Sequence, residues 1–150
     1  MLRHLAWSLS LVFVLSACDG RARNEAKLFL DRYAAISKDS PIEQRRSQVA
    51  GLRALALSVD EVIAARNICA DMQDALIAAE AATTRAQALL RQQAPENAND
   101  APMPGETADE IEHLIEQSNA AVERARDFLQ RCDDQRRRLS VKYDSGRRRQ

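Results

Sequence analysis

Between Gln93 and Glu106 the chain carries Pro95, Asn97, Asn99, Pro102, Pro104 and Gly105, and this stretch divides two long helical patterns. Proline lacks a backbone donor and clashes with the preceding turn, so neither helix carries through it. Two long helices joined by such a loop fold back on each other as an antiparallel hairpin. Cysteine positions make that reading specific. Cys69 lies 23 residues before Gln92, and Cys132 lies 24 residues after Ala108, on the two sides of the loop. At ~1.5 Å per residue both reach the same level, ~35 Å from the turn. Both fall on the apolar stripe of their own helix, and the same register sets Leu90 near Ile111, Leu76 near Ala125, Met72 near Leu129 and Val62 near Leu139. The expectation is a Cys69–Cys132 disulfide closing a loop of ~60 residues, a constraint worth roughly 4 kcal/mol by chain entropy. The alternative is a pair of buried thiols acting as small apolar side chains.

The remaining helices follow from periodicity and capping. Ala26, Phe29, Leu30, Tyr33 and Ile36 recur at three- and four-residue steps and define a first helix. Ser40-Pro41-Ile42-Glu43 offers an N-cap, a proline for the first turn and a glutamate to close a capping box, so a second helix is expected from there. Its stripe runs through Val49, Leu52, Leu55, Val59, Val62, Cys69, Met72, Leu76, Ala79, Ala86 and Leu90, with Gly51 and Ser58-Val59-Asp60-Glu61 as places for a kink or restart. Thr107-Ala108-Asp109-Glu110 is expected to cap a third helix. Its stripe through Ile111, Leu114, Ser118, Ala121, Ala125, Phe128, Cys132 and Leu139 is close to a heptad seam interrupted at Gln135. Alanines concentrate where the hairpin faces meet: Ala75, Ala78, Ala79, Ala82 and Ala86 against Ala120, Ala121 and Ala125. Small side chains permit close axes but bury little area, so the hairpin needs support from the first helix and the first part of the second, through Phe29, Tyr33, Val49 and Leu52. The expected fold is all-α: an elongated three-helix bundle with a long antiparallel, coiled-coil-like hairpin, stapled by the disulfide. It is three helices thick at one end and two toward the loop.

The first residues have a separate logic. Arg3 and His4 precede a thirteen-residue apolar run from Leu5 to Ala17, well short of the ~20 residues that a membrane-crossing helix needs. A charged start, a short apolar stretch and small residues before a cut are the anatomy of an export signal. Leu15-Ser16-Ala17-Cys18 resembles the lipobox of bacterial lipoprotein precursors. That resemblance implies cleavage before Cys18 and a diacylglycerol on its thiol, with the new amino group usually acylated. It also places the rest of the chain in an oxidising compartment, where disulfides persist. Asp19 resembles the inner-membrane retention signal of enterobacterial lipoproteins, favouring the periplasmic face of the inner membrane over the outer membrane. The organisation implied is a signal peptide over 1–17, a lipidated cysteine and short polar tether over 18–23, a helical domain over 24–145 with its loop at 93–106, and a basic tail over 146–150.

After Cys18 becomes the first residue, 133 residues remain; only Arg3 is lost from 22 basic and 22 acidic side chains, leaving 21 and 22. That balance gives no reason to expect nucleic acid as a partner. The only Trp leaves with the signal, and Phe29, Phe128, Tyr33 and Tyr143 are the whole remaining aromatic set, too few for a base- or sugar-stacking platform. No glycine-rich phosphate loop is present, and His113, the one histidine left, has no sequence neighbours that announce a catalytic triad or zinc site. Glu106, Asp109, Glu110, Glu112 and Glu116 suit the positive end of the third helix better than they suit a cation. No catalytic residue, metal or cofactor is therefore expected. Arg136-Arg137-Arg138 and Arg147-Arg148-Arg149 are the basic concentrations. At the membrane-proximal end they would reach anionic lipid head groups, although a helix-end dipole partner and a solvated tail account for them as well. The reading that follows is a non-enzymatic, membrane-tethered adaptor or assembly factor for another envelope protein, with homodimerisation through unburied faces as a further option. An inhibitor or exclusion lipoprotein is the alternative.

Overall fold

The computed structural model describes the backbone of residues 5–93 and 104–144, with side chains over 20–92 and 104–143. Four helices follow one another: α1 (Leu5–Ala34), α2 (Ile42–Arg53), α3 (Asp60–Gln93) and α4 (Gly105–Asp144). Helices α3 and α4 form the antiparallel hairpin. Its register is fixed by Cys69–Cys132, with Cα atoms 5.0 Å apart, by the Thr83 and Ser118 hydroxyls 2.9 Å apart, and by Lys142 donating to Glu61 at 2.6 Å. At ~1.5 Å per residue the 34 residues of α3 give a hairpin ~50 Å long.

Helices α1 and α2 wrap the end of the hairpin away from the loop. α1 rises beside both α3 and α4, with Ala26 and Phe29 fully buried and the Tyr33 hydroxyl accepting from Gln73 at 3.4 Å. The chain turns over 35–41, and α2 descends along α3. Its course is pinned by an Arg45–Glu80 ion pair at its start and by Arg53, which reaches Asp71 and Asp74 at 2.6 Å each, at its end. Val49 and Leu52 close over Phe29, Val62, Cys69, Ala70, Met72, Ile77, Cys132 and Leu139 in one core. Phe29, Tyr33, Val49 and Leu52 thus join the two elements to the hairpin as the periodicity implied.

The helix expected to run from Pro41 to the loop is two helices. Gly51 lies inside α2, and the break falls over 54–59. There the chain is a non-helical strap with Leu55, Leu57 and Val59 half-buried and Ala54, Ala56 and Ser58 exposed, a period-two alternation rather than a helical stripe. Side chains from neighbouring helices satisfy its backbone. Arg66 donates to the Leu55 carbonyl at 2.9 Å, and the N–H groups of Ser58 and Val59 donate to Glu25 at 2.8 and 2.9 Å. A segment whose polar backbone groups are met from outside has no need to be helical.

The expected caps at Ser40 and Thr107 do not form as read. α2 starts at Ile42 with Pro41 as its cap residue and no side-chain cap bond, so Ser40 stands outside it. α4 starts at Gly105, and the Thr107 and Ala108 N–H groups donate to the Pro104 carbonyl at 3.1 Å, which places Thr107 inside the helix. Ser58 does not cap α3 either: its hydroxyl donates to Glu25 at 2.7 Å. That buried α1 carboxylate therefore sits at the positive end of α3, where negative charge is stabilising. The Ser58 hydroxyl and N–H, then the Val59 N–H and Arg21, hold Glu25 down at about 2. Residues 20–23, expected in a tether, are helical and belong to α1.

Candidate interaction surface

Toward the loop the hairpin is only two helices thick, and its interface is built from alanine. Ala75, Ala79, Ala82 and Ala86 of α3 are buried with Ala121 and Ala125 of α4, while Ala78 and Ala120, expected in the same seam, are exposed. A second, smaller core of Ala86, Leu89 and Ile111, with Leu114 against it, closes the arm near its tip. Alanine brings the axes together but leaves larger neighbours on the flank uncovered. Leu89 is the large aliphatic that α3 buries here, Ile77 belonging to the core of the base, and Leu76 and Leu90, expected on the seam, are exposed. From Cys69 on, one row of buried positions on α3 runs 69, 72, 75, 79, 82, 86 and 89, with Ala70 and Ile77 buried outside it. Two successive three-residue steps at 69–75 turn the seam by one residue and carry Leu76, Thr83 and Leu90 off it.

These displaced residues share a face with a second row on α4. Ile115, Val122 and Leu129 follow one another at seven-residue intervals beside the buried seam of Ile111, Ala125 and Cys132. Leu76, Leu90, Ile115, Val122 and Leu129 are each between 40% and 50% exposed. Leu90 and Ile115 line one open groove of about 370 Å³ together with Ala108, Ile111, Glu112 and Glu116, so the rows of the two helices meet on one side of the arm. Midway, the Thr83 and Ser118 hydroxyls both donate to the Ala79 carbonyl, at 2.9 and 3.1 Å, and so carry no unmet donor into the face. Leu28 and Val141 are also exposed, but singly and at the other end of the molecule. A contiguous apolar face of this kind marks an interaction site more often than a solvated surface.

Charge is arranged unevenly around the face. From Gly105 to Val122, α4 carries Glu106, Asp109, Glu110, Glu112 and Glu116 and no Lys or Arg; beyond Glu123 it carries Arg124, Arg126, Arg131, Arg136, Arg137 and Arg138. Glu110 is paired with Arg85 at 3.2 Å. Among the described residues no ion pair engages Asp109, Glu112 or Glu116. His113 is exposed and within 2.8 Å of Gln117. Among the described residues no group of three or more histidine, cysteine or acidic side chains is placed to hold a metal ion.

The expected basic contacts separate. Arg136 turns inward: its guanidinium lies 4.4 Å over the Tyr33 ring and donates to Asp133 at 3.0 Å, with its Nε buried. Arg137 and Arg138 are exposed, and Arg147, Arg148 and Arg149 lie outside the described residues. Next to them, Glu61 accepts from both Lys142 and Tyr143, and these bonds hold its carboxyl below the usual range, while burial raises the Tyr143 phenol. The side chains of Cys18 and Asp19, expected to carry the lipid and the sorting signal, also lie outside the described residues. Among the described residues no helix is long and apolar enough to cross a membrane.

The open apolar face is the candidate site that the sequence pattern left out. A signal for it exists: Ile115, Val122 and Leu129 form a seven-residue row beside a complete seam, more apolar surface than a two-helix contact uses. No protein-family model, curated protein or solved structure matches this chain.

Proposed function

We propose that this protein is a lipid-anchored, periplasm-facing adaptor or assembly factor that holds out a helical arm to another envelope protein. The apolar face of Leu76, Leu90, Ile115, Val122 and Leu129 carries the reading, because it gathers the exposed large aliphatics of the arm among the described residues. The lipobox at Leu15-Ser16-Ala17-Cys18 supplies the anchor. Two or three acyl chains on one residue hold a protein stably at a bilayer, whereas one binds only marginally. α1 starts from that end, and its Glu25 meets Ser58 and Val59 at the start of α3. The anchor and the 93–104 connection therefore belong to opposite ends of the hairpin, which sets the apolar face away from the bilayer. The fixed base and staple keep the arm straight, so a docked partner is held at a defined distance from the membrane.

Labelling with radioactive palmitate and fractionation of cells tests the anchor. The full chain is expected to take up label and sediment with membranes, and Cys18→Ala to do neither; an unlabelled full chain overturns the lipoprotein reading. Crosslinking in intact cells tests the adaptor role. One envelope complex should co-purify with the full chain and be lost from Val122→Asp, and retention by that variant would count against the apolar face.

A further inference from the structure

The open face of the arm continues the seat of α1. At Arg136 the seven-residue row of α4 is partly covered, because the Tyr33 ring of α1 lies against that guanidinium. One, two and three heptads nearer the loop, Leu129, Val122 and Ile115 are open. α1 stops at Ala34, and the chain leaves through 35–41 to form α2 along α3. What remains above α1 is a groove between two helices, apolar on both walls. From Ile115 to Leu129 it runs ~21 Å, about four helical turns at ~1.5 Å per residue. That is the footprint of one more helix set end-on to α1. Its loop end is bordered by carboxylates, with Glu112 and Glu116 in the groove wall and neither in an ion pair among the described residues.

Resting on the adaptor reading above, we propose that the occupant is an amphipathic helix of another protein, apolar on one face and carrying Lys or Arg where it crosses Glu112 and Glu116. Laid in the groove, its apolar residues fill the space between Ile115, Val122 and Leu129 on one wall and Leu76 and Leu90 on the other, the helix-in-groove mode of recognition. Its basic end pairs with the carboxylate rim, which fixes the direction in which it lies and rejects an acidic helix. A second copy of this chain is the poorer occupant. Copies anchored in one bilayer stand with the same end up, and side-by-side packing then sets Glu112 and Glu116 against their own counterparts.

Site-specific photocrosslinking of the full chain in its own cells tests the assignment. Benzoylphenylalanine replaces Ile115 or Val122 in the groove, or Ala120, which is exposed on the outer side of α4, and the crosslinked peptides are sequenced. Positions 115 and 122 are expected to label neighbouring turns of one amphipathic segment of one protein, with Lys or Arg on the side nearer 115, and Ala120 to label it roughly tenfold less. Glu112→Lys with Glu116→Lys should cut the yield at 122 by roughly tenfold, since like charges replace complementary ones, while circular dichroism and the disulfide stay unchanged. A labelled segment that is acidic or uncharged overturns the proposed chemistry and leaves the adaptor reading standing. Labelling of a second copy overturns the choice of occupant. Equal labelling from Ala120, or none from the groove, overturns both.

Discussion

The base and the arm of this molecule are made from the same two helices, yet they are packed by opposite means. At the base, α1, α2 and the strap surround α3 and α4, and large side chains are buried there: Phe29 and Leu52 show no exposed surface and Leu139 almost none. In the arm α3 and α4 have only each other, and the buried residues are mostly alanine. A large side chain needs neighbours on several sides to leave water, whereas two cylinders in contact cover only a narrow line on each. Leu, Ile and Val next to that line stay wet unless another element is added. The disulfide stands where the two regimes meet, with both cysteines inside the base core. It ties the arm to the base.

Substitutions in each region test this contrast. The largest effect is expected from Cys69→Ser with Cys132→Ser, which releases a closure of 63 residues and should cost roughly 4 kcal/mol. Hydrogen exchange should show the loss concentrated in the arm, and uniform loss across both regions would erase the distinction drawn above. Leu52→Ala empties a fully buried site in the base and should cost roughly 3 kcal/mol in urea unfolding. Its counterpart in the arm is Ala121→Leu, which overfills a close helix contact and should cost about 1–3 kcal/mol. Were Ala121→Leu neutral, the arm would be loosely packed rather than tightly seamed.

A pH-dependent loss is expected at the strap. Glu25 sits at about 2 in the folded chain against an ordinary value of 4.5. The folded state therefore keeps it ionised after the unfolded state has taken up a proton. Its contribution is complete above about 4.5 and is lost as pH falls from there toward about 2. Glu25→Gln should lower Tm at neutral pH and flatten the acid limb of the stability curve over that window. A variant with an unchanged acid limb would mean that the N–H groups of Ser58 and Val59 find other partners. The smallest effect belongs to the open face: Ile115→Gln with Val122→Gln should change stability by no more than about 0.5 kcal/mol per site while removing the partner crosslink.

Much of the hairpin was legible because its determinants are local and periodic. Prolines between 95 and 104 stop a helix wherever they occur. Cys69 and Cys132 stand at matched distances from that stop, and the disulfide joins them. The long rows of apolar residues announced α1, α3 and α4. The strap at 54–59 was legible only in part: Ser58-Val59-Asp60-Glu61 offered a restart, which α3 takes at Asp60, but Leu55 and Val59 also satisfy a four-residue step and so hid the residues before it. The capping residues misled for a related reason. Ser40, Ser58 and Thr107 are good local caps, but the Pro41 and Pro104 starts and the Glu25 carboxylate took their place.

By itself, then, the sequence determined helical class, the position of the turn, hairpin register and disulfide, since each depends on spacing along one chain. Which side of α3 faces α4 was decided only in three dimensions. There the choice between Leu76 and Ala75, and between Leu90 and Leu89, depends on how a nearly heptad row drifts around a straight helix and on where α1 stops. The tertiary structure buried Ala75 and Leu89 and left Leu76 and Leu90 beside Ile115, Val122 and Leu129. That outcome turned residues with a core pattern into an open face, because among the described residues no helix rises far enough to cover them.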